Sequence, residues 1–496
     1  MSSDYEKIAS LDPKSVWSIF AEMTKIPRPS KQEQKIREHV KQFANNHGLG
    51  VKQEAIGNLV LTAPATPGHE GAPVVVLQGH LDMVCEKNRD TAFDWDNDAL
   101  RLKLDTDAKT GKRVVRAEGT TLGADNGIGV AMALAVATEK DVVHGPLEIL
   151  LTIDEEAGMS GAKALTPDSF TGRKLLNLDS EEDYALYIGC AGGCDTNLTW
   201  RFDARPAESN SEICRVEVQG LRGGHSGCDI HENRANAVSL LTRTLCRADV
   251  SGIRVREIVG GSKRNAIPRE AFAFVAGPAG LLSALKKAAE NVRTDSAAES
   301  YEKEIAIEVQ KAVMDKPGGF LSEADSRILL DALSALPNGA LAMHPKVPGL
   351  VQTSNNISTV ETVTDKGALE IKAGLLSRSS SDSSLEFLKH RIAAMGRLSG
   401  AEIATANQYP GWEPNPESPL LAECKKVYEQ LFGEPPHIAA IHAGLETGII
   451  GKLVGNVDMV SFGPTIQGAH SPEERVFVDS VAKSWKLLVA VLAKLA

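Results

Sequence analysis

The sequence has no long hydrophobic run and no excess of positive charge. No stretch approaches the roughly 20 apolar residues that a membrane-spanning helix requires. The opening MSSDYEKIASLDPKS has neither the basic start nor the apolar centre of a signal peptide. The formal net charge is -11, and the lysines and arginines form no cluster that would bind phosphate groups. We therefore expect a cytoplasmic protein that binds a small ligand, with neither a membrane nor a nucleic acid as partner.

Cysteine is also scarce. Seven cysteines are spread thinly through 496 residues, and their odd number does not suit a disulfide framework. Cys190 and Cys194 form the closest pair, in the segment CAGGC, and such a pair can bind a metal or undergo redox chemistry. Because no second pair occurs at a zinc-finger spacing, we interpret both as small buried residues beside a glycine-rich turn.

The sequence does contain enough apolar material for more than one hydrophobic core. Hydrophobic residues make up 42% and charged residues 24%, which are ordinary values for a globular protein. A chain of 496 residues also exceeds the size at which a single core usually stops growing. Two domains are therefore expected.

The first part of the chain alternates predicted helices with predicted strands. The helices are predicted at residues 14–25, 31–47 and 128–138, and the strands at residues 58–62, 74–78, 147–153 and 174–178. Strands that alternate with helices predict an α/β domain with a mostly parallel sheet covered on both faces.

From about residue 203 the pattern changes to longer strands of period two with fewer helices, which is typical of an α+β layer. A charged stretch at 281–336 is predicted to be helical. After the proline-rich junction YPGWEPNPESP, the alternation of helix and strand resumes. We therefore predict a first domain made of residues 1–202 and 411–496, interrupted by an inserted second domain at 203–410.

Histidines and carboxylates stand at the ends of several predicted strands of the first domain. These residues are His80 and Asp82, the run Asp154-Glu155-Glu156, Asp179 and His470, with Asp125 just before a predicted helix. Ligands of open α/β sheets bind at the carboxyl ends of the strands, so we expect these side chains to converge. Imidazoles and carboxylates together suit zinc, cobalt or manganese.

The ordinary interpretation of such residues is structural, because a single histidine is most often hydrogen-bonded and acidic pairs usually face solvent. Here the carboxylates follow wholly apolar strands, and burying an unpaired carboxylate costs several kcal/mol. Since several strand ends share this feature, a cation site is the stronger interpretation. For Asp154 we expect an outward-facing side chain, and we interpret His144, His231 and His442 as structural residues.

Eight segments of the chain carry a family resemblance. The segments are QGHLDMV, GTTLGADNGIG, TIDEEAGMSGA, LNLDSEE, GLRGGHSG, RNAIPREA, IHAGLE and GPTIQGAHSPEE. Together they resemble the M20 family of co-catalytic metallopeptidases, and within it the branch of the aminoacyl-histidine dipeptidases. The resemblance runs in order along essentially the whole chain. It implies that residues 1–202 and 411–496 form a catalytic di-metal peptidase domain, and that 203–410 form a lid.

The resemblance implies a pair of divalent metal ions in each chain, with zinc expected first and cobalt or manganese as alternatives. One ion is expected on His80 and Asp179, the other on Glu156 and His470, with Asp125 as the bridge. A hydroxide shared by the ions would attack the peptide bond. The charges agree with this, because three carboxylates leave one positive charge on two divalent ions.

Two further carboxylates have implied roles beside the ions. Asp82 is expected to accept a hydrogen bond from the His80 imidazole and so to fix its tautomer. Glu155 is the implied general base, which takes the proton of the attacking water and passes it to the leaving amine.

In the inserted domain and its border, the resemblance implies substrate-binding residues. They are His225 in GGHSG, Asn265 in RNAIPRE, Arg378 in LLSRSSSDS and Gly444 in IHAGLE. His225 is expected to donate a hydrogen bond to the carbonyl oxygen of the scissile bond. Arg378 and the backbone at Gly444 are expected to bind the free carboxylate of the substrate.

The implied activity is that of a metallodipeptidase, which hydrolyses unblocked dipeptides, including carnosine-like Xaa-His substrates. Another M20 amidohydrolase, such as an N-acyl amino acid deacylase or an aminotripeptidase, would keep every metal ligand, so this alternative stays open. A non-catalytic metal-binding homologue would lack a ligand or the base, and here all of them are present. We expect a homodimer, and whether His225 serves its own chain or its partner's also stays open.

Overall fold

The computed structural model describes residues 4–300, 302, 304–313, 319–365 and 367–496. The chain forms two compact units. The first unit comprises Met1–Gly189, Pro414–Ala440 and Leu445–Ala496, and the second comprises Cys190–Glu413 and Ile441–Gly444. The sequence did not predict that the short segment Ile441–Gly444 belongs to the second unit. Hydrogen bonds join it to that unit, because the Ala191 N–H donates to the carbonyls of Ile441 and Ala443.

The helices and strands of the described residues are given in chain order. The helices are α1 (Asp4–Ala9), α2 (Lys14–Met23), α3 (Gln34–Asn46), α4 (Ala124–Val136), α5 (Ser160–Lys163), α6 (Ala237–Arg247), α7 (Leu281–Glu299), α8 (Glu323–Ala335), α9 (Asp382–Leu398), α10 (Pro419–Phe432), α11 (Glu446–Val454) and α12 (Val478–Leu495). The strands are β1 (Gly50–Gln53), β2 (Leu59–Ala63), β3 (Val75–His80), β4 (Leu102–Thr106), β5 (Arg113–Ala117), β6 (Leu147–Thr152), β7 (Lys174–Asn177), β8 (Ala185–Cys190), β9 (Gly192–Asp203), β10 (Glu212–Gln219), β11 (Gly224–His225), β12 (Arg254–Gly260), β13 (Ala266–Ile267), β14 (Ala271–Gly277), β15 (Ala306–Lys311), β16 (Gly339–Met343), β17 (Val351–Asp365), β18 (Ala368–Ser379), β19 (Glu402–Tyr409), β20 (His437–Ile441), β21 (Asp458–Ser461), β22 (Ile466–Gln467) and β23 (Arg475–Phe477). None of these helices is long and apolar enough to cross a membrane.

The first unit contains an eight-stranded sheet in the order β1-β2-β6-β3-β7-β21-β8-β20. Its four central strands, β6, β3, β7 and β21, run parallel, while β2 and β1 extend one edge and β8 borders the other in antiparallel pairing. Every residue of β3 and β6 is buried, because these mostly apolar strands lie inside the sheet and are covered on both faces. The small-residue helix α4 packs on β3 and on α2. The prediction of an α/β fold class is confirmed, with the parallel pairing in the centre of the sheet.

A second, four-stranded sheet of the first unit has the order β22-β23-β5-β4 and is antiparallel throughout. It pairs β23, near the carboxyl end of the chain, with β5, which precedes α4. This pairing brings the segment that contains His470 beside the segment that contains Asp125.

The second unit is built on a nine-stranded sheet in the order β15-β10-β14-β12-β17-β18-β9-β19, with β16 paired to β17. Its core includes Leu240 of α6, Leu285 of α7, Leu329 of α8 and Leu388 of α9. The helical prediction for 281–336 is wrong in part, because β15 separates α7 from α8 and pairs with β10. Residues 301, 303 and 314–318 of that stretch lie outside the described residues.

The cysteine prediction is confirmed where the structure describes it. Cys190 and Cys194 are both fully buried. No disulfide joins any of the seven cysteines, all of which lie among the described residues.

Candidate metal centre and substrate-binding residues

His80 lies at the carboxyl end of β3, in the centre of the first unit's sheet. It is the last residue of the strand rather than a residue after it, and it is 1% exposed. Its Nδ1 atom lies 3.1 Å from the backbone oxygen of Asp82 and 3.4 Å from the Asp82 carboxylate. Its Nε2 atom lies 3.0 Å from Asp125 Oδ1 and 3.4 Å from Asp179 Oδ1. The imidazole therefore has one nitrogen toward Asp82 and the other toward two carboxylates.

Asp125 presents one carboxylate oxygen to each of two histidines. Its Oδ1 lies 3.0 Å from His80 Nε2, and its Oδ2 lies 3.2 Å from His470 Nε2. The same His470 nitrogen is 3.0 Å from Glu156 Oε2. The backbone of Asp125 is non-helical, at φ -79° and ψ 108°, although it lies in the first turn of α4. A carboxylate in this position can bridge two cations.

Among the described residues, three groups of candidate ligand atoms lie in the first unit. The groups are His80 with Asp125 and Asp179, Asp125 with Glu156 and His470, and His80 with Glu155 and Glu156, and within each group the ligand atoms lie within 4.8 Å of one another. Mixed imidazole and carboxylate donors suit a divalent cation such as zinc. Two buried carboxylate oxygens of these groups lack a well-formed hydrogen bond: Glu156 Oε1, and Asp179 Oδ1, which is in ion-pair range of His80 Nε2 at 3.4 Å. Because a buried carboxylate without a partner is costly, these oxygens fit cation ligands.

The electrostatics of this cluster also indicate a site for cations. Burial raises the pKa of Asp179 to about 7. Hydrogen bonds to Asp125 and Glu156 raise the pKa of His470 to about 11. Burial would lower the pKa of His80, but Asp179 and Asp125 outweigh it, and the His80 pKa is raised well above its usual value. An excess of negative charge thus holds positive charge at both imidazoles.

Asp82 ties the His80 segment to the loop after β6. Its Oδ1 accepts the Glu155 N–H at 3.0 Å, and its Oδ2 accepts the Glu156 N–H at 3.2 Å and the Ser30 hydroxyl at 2.7 Å. Burial opposes ionisation, but His80 and Ser30 outweigh it and lower the pKa of Asp82 to about 2. Asp82 is therefore a carboxylate that holds both an imidazole and the backbone of the Glu155-Glu156 pair.

The loop after β6 gives three consecutive acidic residues, Asp154, Glu155 and Glu156, different surroundings. Glu155 has a pKa raised well above its usual value, chiefly by burial, with Asp179 and Glu446 adding to it. The outward orientation predicted for Asp154 is wrong, because its side chain is 3% exposed and its Oδ2 accepts the Ser160 hydroxyl at 2.6 Å. A backbone φ of 55° at Asp154 turns the chain sharply there, so that the carboxylate closes the loop on itself.

His225 lies in the second unit, on the short strand β11. Its Nδ1 accepts the backbone N–H groups of Gly227 at 3.3 Å and of Cys228 at 3.0 Å, so the ring proton lies on Nε2. Burial, with Arg378 adding to it, lowers the pKa of His225 to about 4. His225 is thus a neutral imidazole with an Nε2–H donor. Asn265 is an exposed residue beside it, and its carbonyl accepts the Ser226 N–H at 2.8 Å.

Arg378 and Gly444 are linked by Tyr409, which the sequence did not indicate. Arg378 is 5% exposed and donates from Nη1 to the Tyr409 hydroxyl at 2.9 Å, while its Nε is buried without an acceptor. A Cβ atom added to Gly444 would lie 2.8 Å from Tyr409 Cε2, and one added to Gly193 would lie 2.5 Å from the Tyr409 hydroxyl oxygen. The tyrosine ring therefore needs glycine at both positions.

Gly227 lies close to two substrate-binding candidates of the second unit, His225 and Arg378. A Cβ atom there would lie 3.1 Å from His225 Cε1, 3.2 Å from Arg378 Nε and 2.2 Å from the His442 carbonyl oxygen. The His442 imidazole is buried and its Nε2 lies 2.7 Å from Ser354 Oγ. His225 and Arg378 are thus neighbours in the second unit, whereas the candidate metal ligands meet in the first.

An α/β unit that gathers imidazoles and carboxylates at the carboxyl ends of parallel strands has the arrangement of a metal-dependent hydrolase. Residues 76–494 match the sequence profile of Peptidase family M20/M25/M40, so the chain belongs to this family of metallopeptidases. Membership implies divalent metal ions.

Two relatives cover nearly the whole chain. The Cytosol non-specific dipeptidase of Escherichia coli (strain K12) is 40% identical over 492 residues, which are 99% of each chain. The crystal structure of an aminoacylhistidine dipeptidase from Vibrio alginolyticus is also 40% identical, covers 98% of each chain and superposes with a TM-score of 0.89. The aminopeptidase PepT of Bacillus cereus is 16% identical with a TM-score of 0.60, over 98% of this chain and 99% of that one, so it shares the fold alone.

Proposed function

We propose that this chain is a metallodipeptidase that hydrolyses unblocked dipeptides, including those that end in histidine. The relatives named as dipeptidases support this substrate class. The observation that carries the proposal is the Asp125 carboxylate, whose two oxygens face His80 and His470 on either side. A carboxylate shared between two imidazoles suits a pair of hydrolytic metal ions, because it can bind both ions at once.

Two divalent ions, zinc in preference to cobalt or manganese, would be held by this cluster. His80 and Asp179 would bind one, Glu156 and His470 the other, and Asp125 both. When bound, the ions would polarise the scissile carbonyl and lower the pKa of a water molecule.

The proton transfers belong to the side chains. Glu155 would accept the proton of the attacking water and deliver it to the leaving amine, while Asp82 holds the Glu155 backbone in place. His225 would donate from Nε2 to the developing oxyanion. Arg378, with Gly444 and Asn265, would bind the backbone groups of the dipeptide, and the unpartnered Nε of Arg378 suits its free carboxylate.

Two further properties belong to this proposal. We place the activity in the cytoplasm, as the name of the Escherichia coli relative suggests. We also propose a homodimer.

The test is a substrate panel measured after metal removal and reloading. The metal-free protein, reloaded with zinc, manganese or cobalt, should cleave dipeptides, including Xaa-His, and leave tripeptides and N-acetyl amino acids largely intact. Preferential release of acetate from N-acetyl amino acids, or of an amino-terminal residue from tripeptides, would contradict the dipeptidase assignment and favour another activity of the same family.

A further inference from the structure

Glu474 accepts hydrogen bonds from four consecutive backbone N–H groups at the start of α4. Its Oε2 accepts from Leu122 at 2.7 Å and Gly123 at 2.9 Å, and its Oε1 accepts from Ala124 at 2.8 Å and Asp125 at 3.4 Å. The carboxylate is 2% exposed. N–H groups at a helix start have no intrahelical acceptor, and a negative charge there is favourable. The carboxylate thus satisfies a segment that would otherwise be left with free donors.

The same glutamate belongs to a compact turn that begins near His470. The Glu474 N–H donates to the Ser471 carbonyl at 3.0 Å, and the Ser471 hydroxyl donates to the Gly468 carbonyl at 2.7 Å. His470 itself has a φ of 62° and a side chain that is 53% exposed, so packing does little to hold it. Its position depends on this turn.

We propose that Glu474 is a positioning residue that fixes the distance between Asp125 and His470, and thereby sets the affinity of one of the two metal positions. The inference rests on the proposed metal ligands. Glu474 joins the two ligand-bearing segments directly, because its side chain holds the Asp125 segment and its backbone closes the His470 turn. The metal position that uses both segments is the group of Asp125, Glu156 and His470.

Arg28 supplies the counter-charge on the other side of the Asp125 segment. This arginine is 1% exposed, and its Nη1 donates to the carbonyls of Leu81 at 3.0 Å and Asp82 at 3.1 Å, while its Nη2 donates to the Gly123 carbonyl. The segment before α4 is therefore held at its N–H groups by an anion and at a carbonyl by a cation. Burial raises the pKa of Glu474, and the hydrogen bonds from the N–H groups of Leu122, Gly123 and Ala124 oppose this rise.

The experiment compares Glu474→Gln with Glu473→Gln in the full-length chain. Glu473 is the exposed neighbour and serves as the matched control. Zn²⁺ is titrated into each metal-free protein by calorimetry, and His470→Ala identifies which binding step belongs to the His470 position. Amide hydrogen exchange of residues 122–125 is measured in the metal-free proteins. A glutamine amide can accept through one atom only, so two of the four N–H groups lose their acceptor.

In Glu474→Gln we expect exchange at residues 122–125 to accelerate and the His470 position to bind Zn²⁺ about 10–100-fold more weakly, with a smaller loss at the position of His80 and Asp179. Glu473→Gln should behave as the parent does. Equal weakening of both positions, or none, would overturn the positioning role. If Glu474→Gln does not fold, Glu474→Asp, which keeps the charge but is one methylene shorter, undergoes the same comparison. A parent that fails to bind two ions would refute the proposed function instead, and the exchange data would still report whether Glu474 holds the segment.

Discussion

At the residue scale, two adjacent glutamates have different surroundings. Glu156 Oε2 lies 3.0 Å from His470 Nε2. The pKa of Glu155, in contrast, is raised chiefly by burial and further by neighbouring carboxyl groups. We expect Glu155→Gln to retain its metal ions and to lose turnover by about 10²–10⁴-fold, because the amide keeps the shape but cannot accept a proton. Elemental analysis and kcat per metal-loaded site check this. Turnover near the parental value would remove Glu155 from the role of base.

His225 allows a second prediction at the same scale. Its Nδ1 is occupied by two backbone N–H groups, so Nε2–H is the atom that can donate to an oxyanion. His225→Ala should lower kcat by about 10²–10³-fold with metal content unchanged. The exposed His231 nearby provides the control, and His231→Ala should keep the parental kcat. A kcat loss that merely follows a lower melting temperature would contradict the donor role.

At the scale of elements, the strands that carry the candidate ligands are predictable from their sequences. The runs predicted at 147–153 and 174–178 correspond to β6 (Leu147–Thr152) and β7 (Lys174–Asn177), because short, mostly apolar runs leave few alternatives to a buried strand. The convergence of His80 and Asp179 then follows from the parallel strands β3 and β7, which end at the same edge of the sheet, whereas Asp125 lies in the first turn of α4.

The contacts that position these ligands are not predictable in the same way. Glu474 binds Leu122, which is 352 residues away, and its partners are backbone N–H groups, which leave no mark in the sequence. Tyr409 likewise meets Gly193 and Gly444 only in the folded second unit. The outward orientation predicted for the Asp154 side chain is wrong because that orientation depends on a positive φ, which the sequence does not reveal. Side chains whose partners are distant or belong to the backbone require the structure.

The close approach of the Tyr409 ring to Gly193 and Gly444 allows a prediction about substrate binding. A Cβ atom at Gly444 would lie 2.8 Å from the tyrosine ring, so Gly444→Ala should displace Tyr409 and, through its hydroxyl, Arg378. Since hydrogen bonds to a charged group contribute about 1.5–3 kcal/mol, we expect KM to rise about tenfold or more, with a smaller change in kcat. Gly71→Ala, where the new Cβ meets nothing within 4 Å, is the control. An unchanged KM in Gly444→Ala would show that the position of Tyr409 does not affect substrate binding.

At the scale of the whole molecule, the pKa values of individual histidines shift in opposite directions in the two units. In the first unit, carboxylates raise the pKa of His470 to about 11. In the second, burial lowers the pKa of His225 to about 4 and that of His442 to about 3. His470 therefore favours the protonated form, whereas His225 and His442 remain neutral under the same conditions.

His442 allows the sign of the resulting pH dependence to be worked out. Its folded pKa of about 3, lowered by burial and by Arg378 and His225, lies below the value of about 6.5 expected in the unfolded chain. Between these values the unfolded chain binds a proton that the folded chain does not, so the free energy of unfolding falls as the pH falls below about 6.5. At pH 5 this single residue should account for a loss of about 2 kcal/mol relative to pH 7.

The measurement is urea unfolding at pH 7 and pH 5, followed by circular dichroism, for the parent, His442→Gln and His390→Gln. Glutamine does not titrate, so His442→Gln should show a loss between the two pH values that is about 2 kcal/mol smaller than the parental loss, even if its stability at pH 7 is lower. His390 is exposed, and His390→Gln should retain the parental difference. If His442→Gln and the parent lose equal stability between pH 7 and pH 5, His442 is not held neutral in the folded chain by its burial beside Arg378.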